Sequence, residues 1–167
     1  EADPAAHRAG IYDTAVFREE ELEHRVAGDT GVTLVVIRVE AVIDGSPFDG
    51  IMMSYVNPLL AYGLDKLCQD ARDLGIDGFI VPDLSIEEAV EFQARCKASG
   101  LHYIYLVAPT STEERLRIVG ERSSAFVYSV ALLGTTGARP ELSEELIPFL
   151  ARARAAIKTP LVVGFGI

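Results

Sequence analysis

Gly78-Phe79-Ile80-Val81-Pro82-Asp83-Leu84-Ser85-Ile86-Glu87-Glu88 compresses a strand, a turn and a helix start into one short stretch. Phe79, Ile80 and Val81 form an apolar run without alternation, the pattern of a strand buried on both faces, as parallel strands are. Pro82 cannot donate to a sheet ladder and closes the run. Ser85 offers a cap to a helix whose first turn carries Glu87 and Glu88, where carboxylates meet the positive end of the helix dipole.

The same unit repeats in both directions. Downstream, the helix runs to Ser99 and stops at Gly100, and an apolar strand follows at 103–107. Thr110-Ser111-Thr112 offers caps ahead of Glu113 and Glu114, with an end near Gly120, then a strand at 126–130. Ser143-Glu144-Glu145 opens a helix with Leu146, Phe149 and Leu150 on one face, and Thr159-Pro160 leads into a strand at 161–163. Upstream, an amphipathic helix at 65–74 ends at Gly75, behind a strand at 51–55. The strands recur at intervals close to the roughly 30 residues of a βαβ unit, so the chain reads as an α/β array with its polar, Gly- or Pro-bearing chemistry at the strands' carboxyl ends.

Size limits the architecture. A closed eightfold barrel usually needs about 200 residues or more, and this sequence has 167. Five good strands and one possible earlier one are legible, so the sheet is open or part of a barrel is absent. Residues 1–30 are set apart as a charged amino-terminal arm, with 31–167 as the barrel domain. Within the arm, residues 17–26, with Arg18-Glu19-Glu20-Glu21-Leu22-Glu23-His24-Arg25, read as a solvated helix or a loosely ordered segment. Residues 31–42 suit a strand or a helix equally.

The formal net charge is -10, with 15 Lys and Arg against 25 Asp and Glu. The basic residues are scattered, which argues against nucleic acid as a partner. A small phosphorylated ligand stays open, because backbone N–H groups hold anions without Lys or Arg. Cys68 and Cys96 have no metal-like spacing and read as buried thiols of a reducing compartment. No run approaches the roughly 18 apolar residues of a membrane span, and the expected location is the cytoplasm.

Two strand ends offer anion chemistry. Gly134-Thr135-Thr136-Gly137-Ala138 follows the strand of Tyr128, so glycines let amides turn toward an anion while a threonine hydroxyl adds a donor. Gly164-Phe165-Gly166-Ile167 follows the next strand. Either could instead be a tight turn that binds nothing. Their adjacency favours phosphate, since barrels commonly seat it after neighbouring strands.

Taken in order, Met53-Ser54-Tyr55-Val56-Asn57-Pro58-Leu59-Leu60-Ala61-Tyr62-Gly63, the 78–88 stretch quoted above, Leu106-Val107-Ala108-Pro109-Thr110, Gly134 to Ala138 and Gly164 to Ile167 resemble the tryptophan synthase alpha chain family. The resemblance spans about residues 52–167. It implies a TIM (β/α)8 barrel, here incomplete with about five or six parallel strands. The implied lyase activity cleaves indole-3-glycerol phosphate to indole and glyceraldehyde 3-phosphate. It needs no cofactor of its own, and indole passes to a beta subunit that carries pyridoxal phosphate. By motif match, Thr136, Gly137 and Gly166 belong to the phosphate and glycerol site, Tyr128 sits beside the catalytic carboxylate, and Tyr55, Ile80, Leu106 and Phe165 form pocket wall. Asn57 and Pro58 match the loop that meets the beta subunit.

The chain departs from the family where the chemistry is hardest. The cleavage needs one group to protonate the indole ring carbon and another to take a proton, each contributing a factor of about 10² to 10⁴. In the family both are carboxylates, on an early Glu-Leu-Gly-like strand end and a Pro-Phe-Ser-Asp-Pro-like loop. Neither stands in its place here. Glu40 and the Pro47-Phe48-Asp49 run mimic the pieces, but they abut the strand at Ile51 with no room for an intervening helix. The sequence also stops before an eighth strand, so the reading is of a fragment or an incomplete gene product. Two other readings remain. One is a non-catalytic remnant that keeps phosphate or beta-subunit binding; the other is a different sugar-phosphate barrel lyase or isomerase, for which only Asp83 stands at a strand end.

Overall fold

The computed structural model describes residues 20–22, 36–38, 41–43, 46–48, 50–131 and 146–165. Its contacts group residues 14–105 into one compact unit, and the described residues from Leu106 onward belong to a second.

The first unit begins with two short antiparallel pairs. β1 (Glu20–Leu22) pairs with β2 (Val36–Arg38), Glu21 opposite Ile37, and β3 (Ala41–Ile43) pairs with β4 (Ser46–Phe48), Val42 opposite Pro47. Glu20–Leu22 is therefore a strand, in a stretch that the sequence left as a solvated helix or a loosely ordered segment; three residues held by cross-strand partners need no helical periodicity. In the undecided 31–42 region the described residues belong to β2 and to the start of β3.

β5 (Ile51–Met53), β6 (Gly78–Ile80) and β7 (His102–Val107) then form a parallel sheet in that order. Ile51, Gly78 and His102 share one row, Met52, Phe79 and Tyr103 the next, and Met53, Ile80 and Ile104 the third. Asp77 fixes the rows at their start. Its backbone N–H donates to Gly50 O at 2.7 Å, its carboxylate accepts from Gly50 N–H at 3.0 Å, and its carbonyl accepts from His102 N–H at 2.8 Å.

Side chains alternate across a strand, and the rings tell the two faces apart. Phe79 meets Phe92 of the following helix at 5.2 Å between centroids, and Tyr103 meets Phe92 at 5.6 Å. Phe79 and Tyr103 thus face the helices. Ile80 and Ile104 face the other way, on the side that would line a barrel. Gly78 lies on that side too, where a Cβ would stand 2.5 Å from His102 O; only glycine lets β6 and β7 approach there.

Three helices complete this unit: α1 (Val56–Tyr62), α2 (Leu64–Asp73) and α3 (Val90–Ala98). Gly63, at φ +91°, separates α1 from α2. Ser85 and Glu88 form a reciprocal cap, with Glu88 N–H donating to Ser85 Oγ and Ser85 Oγ donating to Glu88 at 2.7 Å. A turn at residues 86–89 precedes the α-helical part, which opens at Val90. The strand expected over residues 51–55 stops at Met53. Tyr55 is extended, but as the residue that precedes α1, a helix the βα reading passed over.

The second unit holds α4 (Glu113–Arg122), β8 (Val127–Ala131), α5 (Leu146–Ala156) and β9 (Leu161–Phe165). Thr112 caps α4 by accepting from Arg115 N–H at 3.2 Å. β8 and β9 run parallel, Val127 opposite Leu161 through to Ala131 opposite Phe165. α4 packs on the turn after α5 so closely at Gly120 that a Cβ there would lie 3.1 Å from Ile157 Cα.

Candidate functional site at the strand ends

The carboxyl ends of β5 and β6 are tied together. Ser54 N–H donates to Ile80 O at 3.2 Å, extending the ladder one step. Beyond it, the Asp83 carboxylate accepts from Val56 N–H at 2.9 Å. Val56 opens α1, and Tyr55 before it supplies no side-chain cap. A carboxylate from the next loop does the capping instead, satisfying one of the four orphan donors of the helix. Asp83 is thus a positioning residue for the α1 start. Replacing it with alanine should lower stability by about 1 kcal/mol, read as a lower denaturant midpoint, whereas Asp83→Asn keeps an acceptor oxygen and most of the stability.

The other end of α1 is also fastened. The Tyr62 hydroxyl donates to Asp70 of α2, and Lys66 forms an ion pair with the same carboxylate. The Lys66 ammonium, helped by the Tyr62 hydroxyl, holds the Asp70 carboxyl below its usual range. The hydrogen bond to Asp70 raises the Tyr62 phenol above its ordinary value.

Along α1, Asn57 is exposed and Pro58 half-buried, while Leu59 and Tyr62 turn inward. Tyr55 is 64% exposed, and Leu60 is 55%. Ile80, in contrast, is fully enclosed at 0%, on the face of its sheet opposite Phe79 and Tyr103. Exposure rises past the carboxyl end of β5: Met53 is 9% exposed, and Tyr55, which precedes α1, is 64%. Leu106 shares the Ile104 face of β7 and is half-buried.

In the second unit, Tyr128 on β8 is buried at 5% exposure and stands opposite Val162. The register ends with Ala131 beside Phe165, so β8 and β9 finish level with one another. Ser129, on the opposite face of β8 from Tyr128, is fully buried. Thr136, Gly137 and Gly166 lie outside the described residues, as does the side chain of Phe165. So do Glu40 and Asp49, which flank the β3–β4 hairpin in sequence.

Sequence reasoning missed Asp83 as a cap for α1. A signal for α1 itself was there: Pro58 falls in its first turn, where the missing N–H costs nothing, and Leu59 and Tyr62 are spaced i, i+3 ahead of Gly63. No cluster of three or more His, Cys, Asp or Glu side chains fit to hold a metal ion occurs among the described residues. No helix among them is long and apolar enough to cross a membrane.

Parallel strands alternating with helices, helices packed on one face of the sheet, and polar turns at the carboxyl ends define a protein of the (β/α) barrel class. The family model for the tryptophan synthase alpha chain matches residues 30–167, and the chain belongs to that family. It is 43% identical over 169 aligned residues to the tryptophan synthase alpha chain of Roseiflexus sp. (strain RS-1), with 99% of this chain and 61% of that one covered. It is 45% identical over 117 residues to that of Methanosarcina acetivorans, with 70% and 42% covered. Among solved structures, a tryptophan synthase a2b2 complex from Pyrococcus furiosus matches with a TM-score of 0.65 at 35% identity, covering 70% of this chain and 47% of that one. The chain spans about three-fifths or less of the relatives it matches, and its five parallel strands are part of a TIM barrel.

Proposed function

We propose that the chain carries the central part of an indole-3-glycerol phosphate lyase, an alpha-type subunit of tryptophan biosynthesis in the cytoplasm that passes indole to a beta subunit. The observation that carries this reading, beside family membership, is the register of β8 and β9. β9 takes in Gly164 and Phe165, which the sequence reading set after the strand. Both strands finish at the paired residues Ala131 and Phe165, so the segments carrying Thr136-Gly137 and Gly166 leave from the same edge. Two such segments beside one another are suited to a phosphate held by amides and a hydroxyl.

In this reading Thr136 donates its hydroxyl to the phosphate while Gly137 and Gly166 donate backbone N–H. Tyr55, Ile80, Leu106 and Phe165 supply apolar wall for the indole ring. Asn57 and Pro58, presented by an α1 start that Asp83 fixes, meet the beta subunit. The retro-aldol step breaks the bond between the indole ring carbon and the glycerol carbon and leaves the electron pair on the ring carbon, which needs a proton delivered there. It turns the glycerol carbon into an aldehyde as its hydroxyl gives up a proton to a base. Tyr128 orients the carboxylate that delivers the proton to the ring carbon. The chain uses no cofactor of its own; pyridoxal phosphate belongs to the beta subunit.

The deciding experiment measures indole release from indole-3-glycerol phosphate by the folded, monodisperse chain, with and without a tryptophan synthase beta subunit. Release above background supports lyase activity and makes Glu40 and Asp49 the first carboxylates to replace. Binding without release supports the second reading, a non-catalytic remnant; absence of binding argues against both. Tyr128→Phe is expected to lower kcat by less than about tenfold, against the ~10² to 10⁴ of a group that itself transfers the proton. A larger loss would make Tyr128 the proton donor and not its neighbour.

A further inference from the structure

Two thiols that the proposed chemistry does not use face one another across the helix layer. Cys68 on α2 is 1% exposed and Cys96 on α3 is 0% exposed, and both are free. They lie within hydrogen-bonding reach of each other. An ion pair marks the same level of the helix pair: Arg95, the neighbour of Cys96, meets Asp65, one turn before Cys68, with Nε to Oδ1 at 3.2 Å. Arg95 is held in turn by Glu91 of its own helix at 2.9 Å. The two helices are therefore held together at the level where the two sulfurs come near one another.

We propose that Cys68 and Cys96 are a dithiol clasp that two-electron oxidants such as hydrogen peroxide close into a disulfide joining α2 to α3. The hydrogen bond from Cys96 lowers the ionisation point of Cys68, whereas that same bond and burial raise Cys96. Cys68 is thus the sulfur that ionises first and attacks. Its thiolate displaces hydroxide from peroxide to give a sulfenic acid; the Cys96 sulfur then attacks that sulfur, losing its proton and expelling water. Overall, two thiols and one peroxide give one disulfide and two waters. Because both sulfurs are buried, oxidant reaches them through local opening, and the reaction is slow in the folded chain.

The test exposes the folded chain to hydrogen peroxide, quenches it, unfolds it and counts thiols. Trypsin cuts after Lys66, Arg72, Arg95 and Lys97, so the clasp yields residues 67–72 joined to residues 96–97. Expected are loss of both thiols, that joined peptide from a monomeric product, reversal by dithiothreitol, and a higher Tm while closed. Cys68→Ser should give no joined peptide. Two intact thiols after treatment, joined peptides only from cross-linked dimers, or Cys96 oxidised to sulfinic acid in place of the disulfide would each overturn the proposal.

Discussion

Phe79→Ala is expected to destabilise the chain by about 3 to 5 kcal/mol, the cost of emptying a fully buried aromatic site. Phe79 has no exposed surface and its ring meets Phe92 at 5.2 Å. Phe92 in turn meets Tyr103 at 5.6 Å, and Tyr103 meets Tyr105 at 4.8 Å. Truncation therefore removes one end of an aromatic chain that joins β6, α3 and β7. The loss includes both the transfer of the ring from water and the cavity it leaves, because the parallel strands on either side are fixed by their ladder and cannot collapse inward. Set against a typical domain stability of about 5 to 15 kcal/mol, that is a large share of the total. Leu74→Ala is the control. Leu74 is equally apolar but 64% exposed, and its truncation should stay within about 0.5 kcal/mol. Urea unfolding decides the matter; equal midpoints for the two variants would mean that Phe79 does not anchor the helix layer.

The contrast between Phe79 and Leu74 also explains which parts of the fold were legible. The βα rhythm was clear because each unit carries its own punctuation. Gly75 and Gly100 adopt φ +77° and +75°, conformations that glycine reaches without cost, and Thr112 caps α4 as its position promised. Such signals are local, so a sequence displays them. β1 to β4 carry no decisive local signal, and the Val- and Ile-rich residues 31–42 suit a helix as well as a strand. Each of the four strands holds three residues and exists through an antiparallel partner, and a charged run such as Glu19-Glu20-Glu21 says nothing of pairing. The cap of α1 was hidden for a related reason: it is Asp83, far along the chain, and spacing within 51–63 cannot reveal a donor–acceptor pair formed across two loops.

The candidate site divides along the same line. That the strand ends carry the chemistry followed from the topology of parallel strands. The burial of Ile80 and Tyr128 followed from their places inside apolar runs. The exposure of Tyr55 was not visible, since an aromatic residue at the end of an apolar run looks like one more strand residue. Only the turn into α1, which Asp83 fixes, carries it out toward solvent. The acid–base carboxylates stayed unassigned because a retro-aldol pair is defined by where two side chains converge, and Glu40 and Asp49 match the family in type but not in place.

Gly137→Asp is expected to abolish measurable binding of indole-3-glycerol phosphate, or of glycerol phosphate as a simpler probe. A carboxylate about 4 Å from a phosphate opposes each unit of its charge by about 4 kcal/mol at the effective dielectric of a protein surface. That alone lowers affinity by a factor of about 10³. The new side chain also fills the space the anion would take and restricts a backbone that glycine leaves free to turn its N–H inward. Gly137→Asn separates the two effects, because it brings nearly the same bulk without charge. If the phosphate sits there, Asn weakens binding and Asp weakens it much further, and added salt narrows the gap only slightly, since a charge pair in contact is screened little. Isothermal titration of both variants against the parent chain reads this directly. Unchanged affinity in Gly137→Asp would move the phosphate elsewhere, whereas equal losses in Asp and Asn would leave Gly137 a tight turn whose shape matters and whose amide touches no anion.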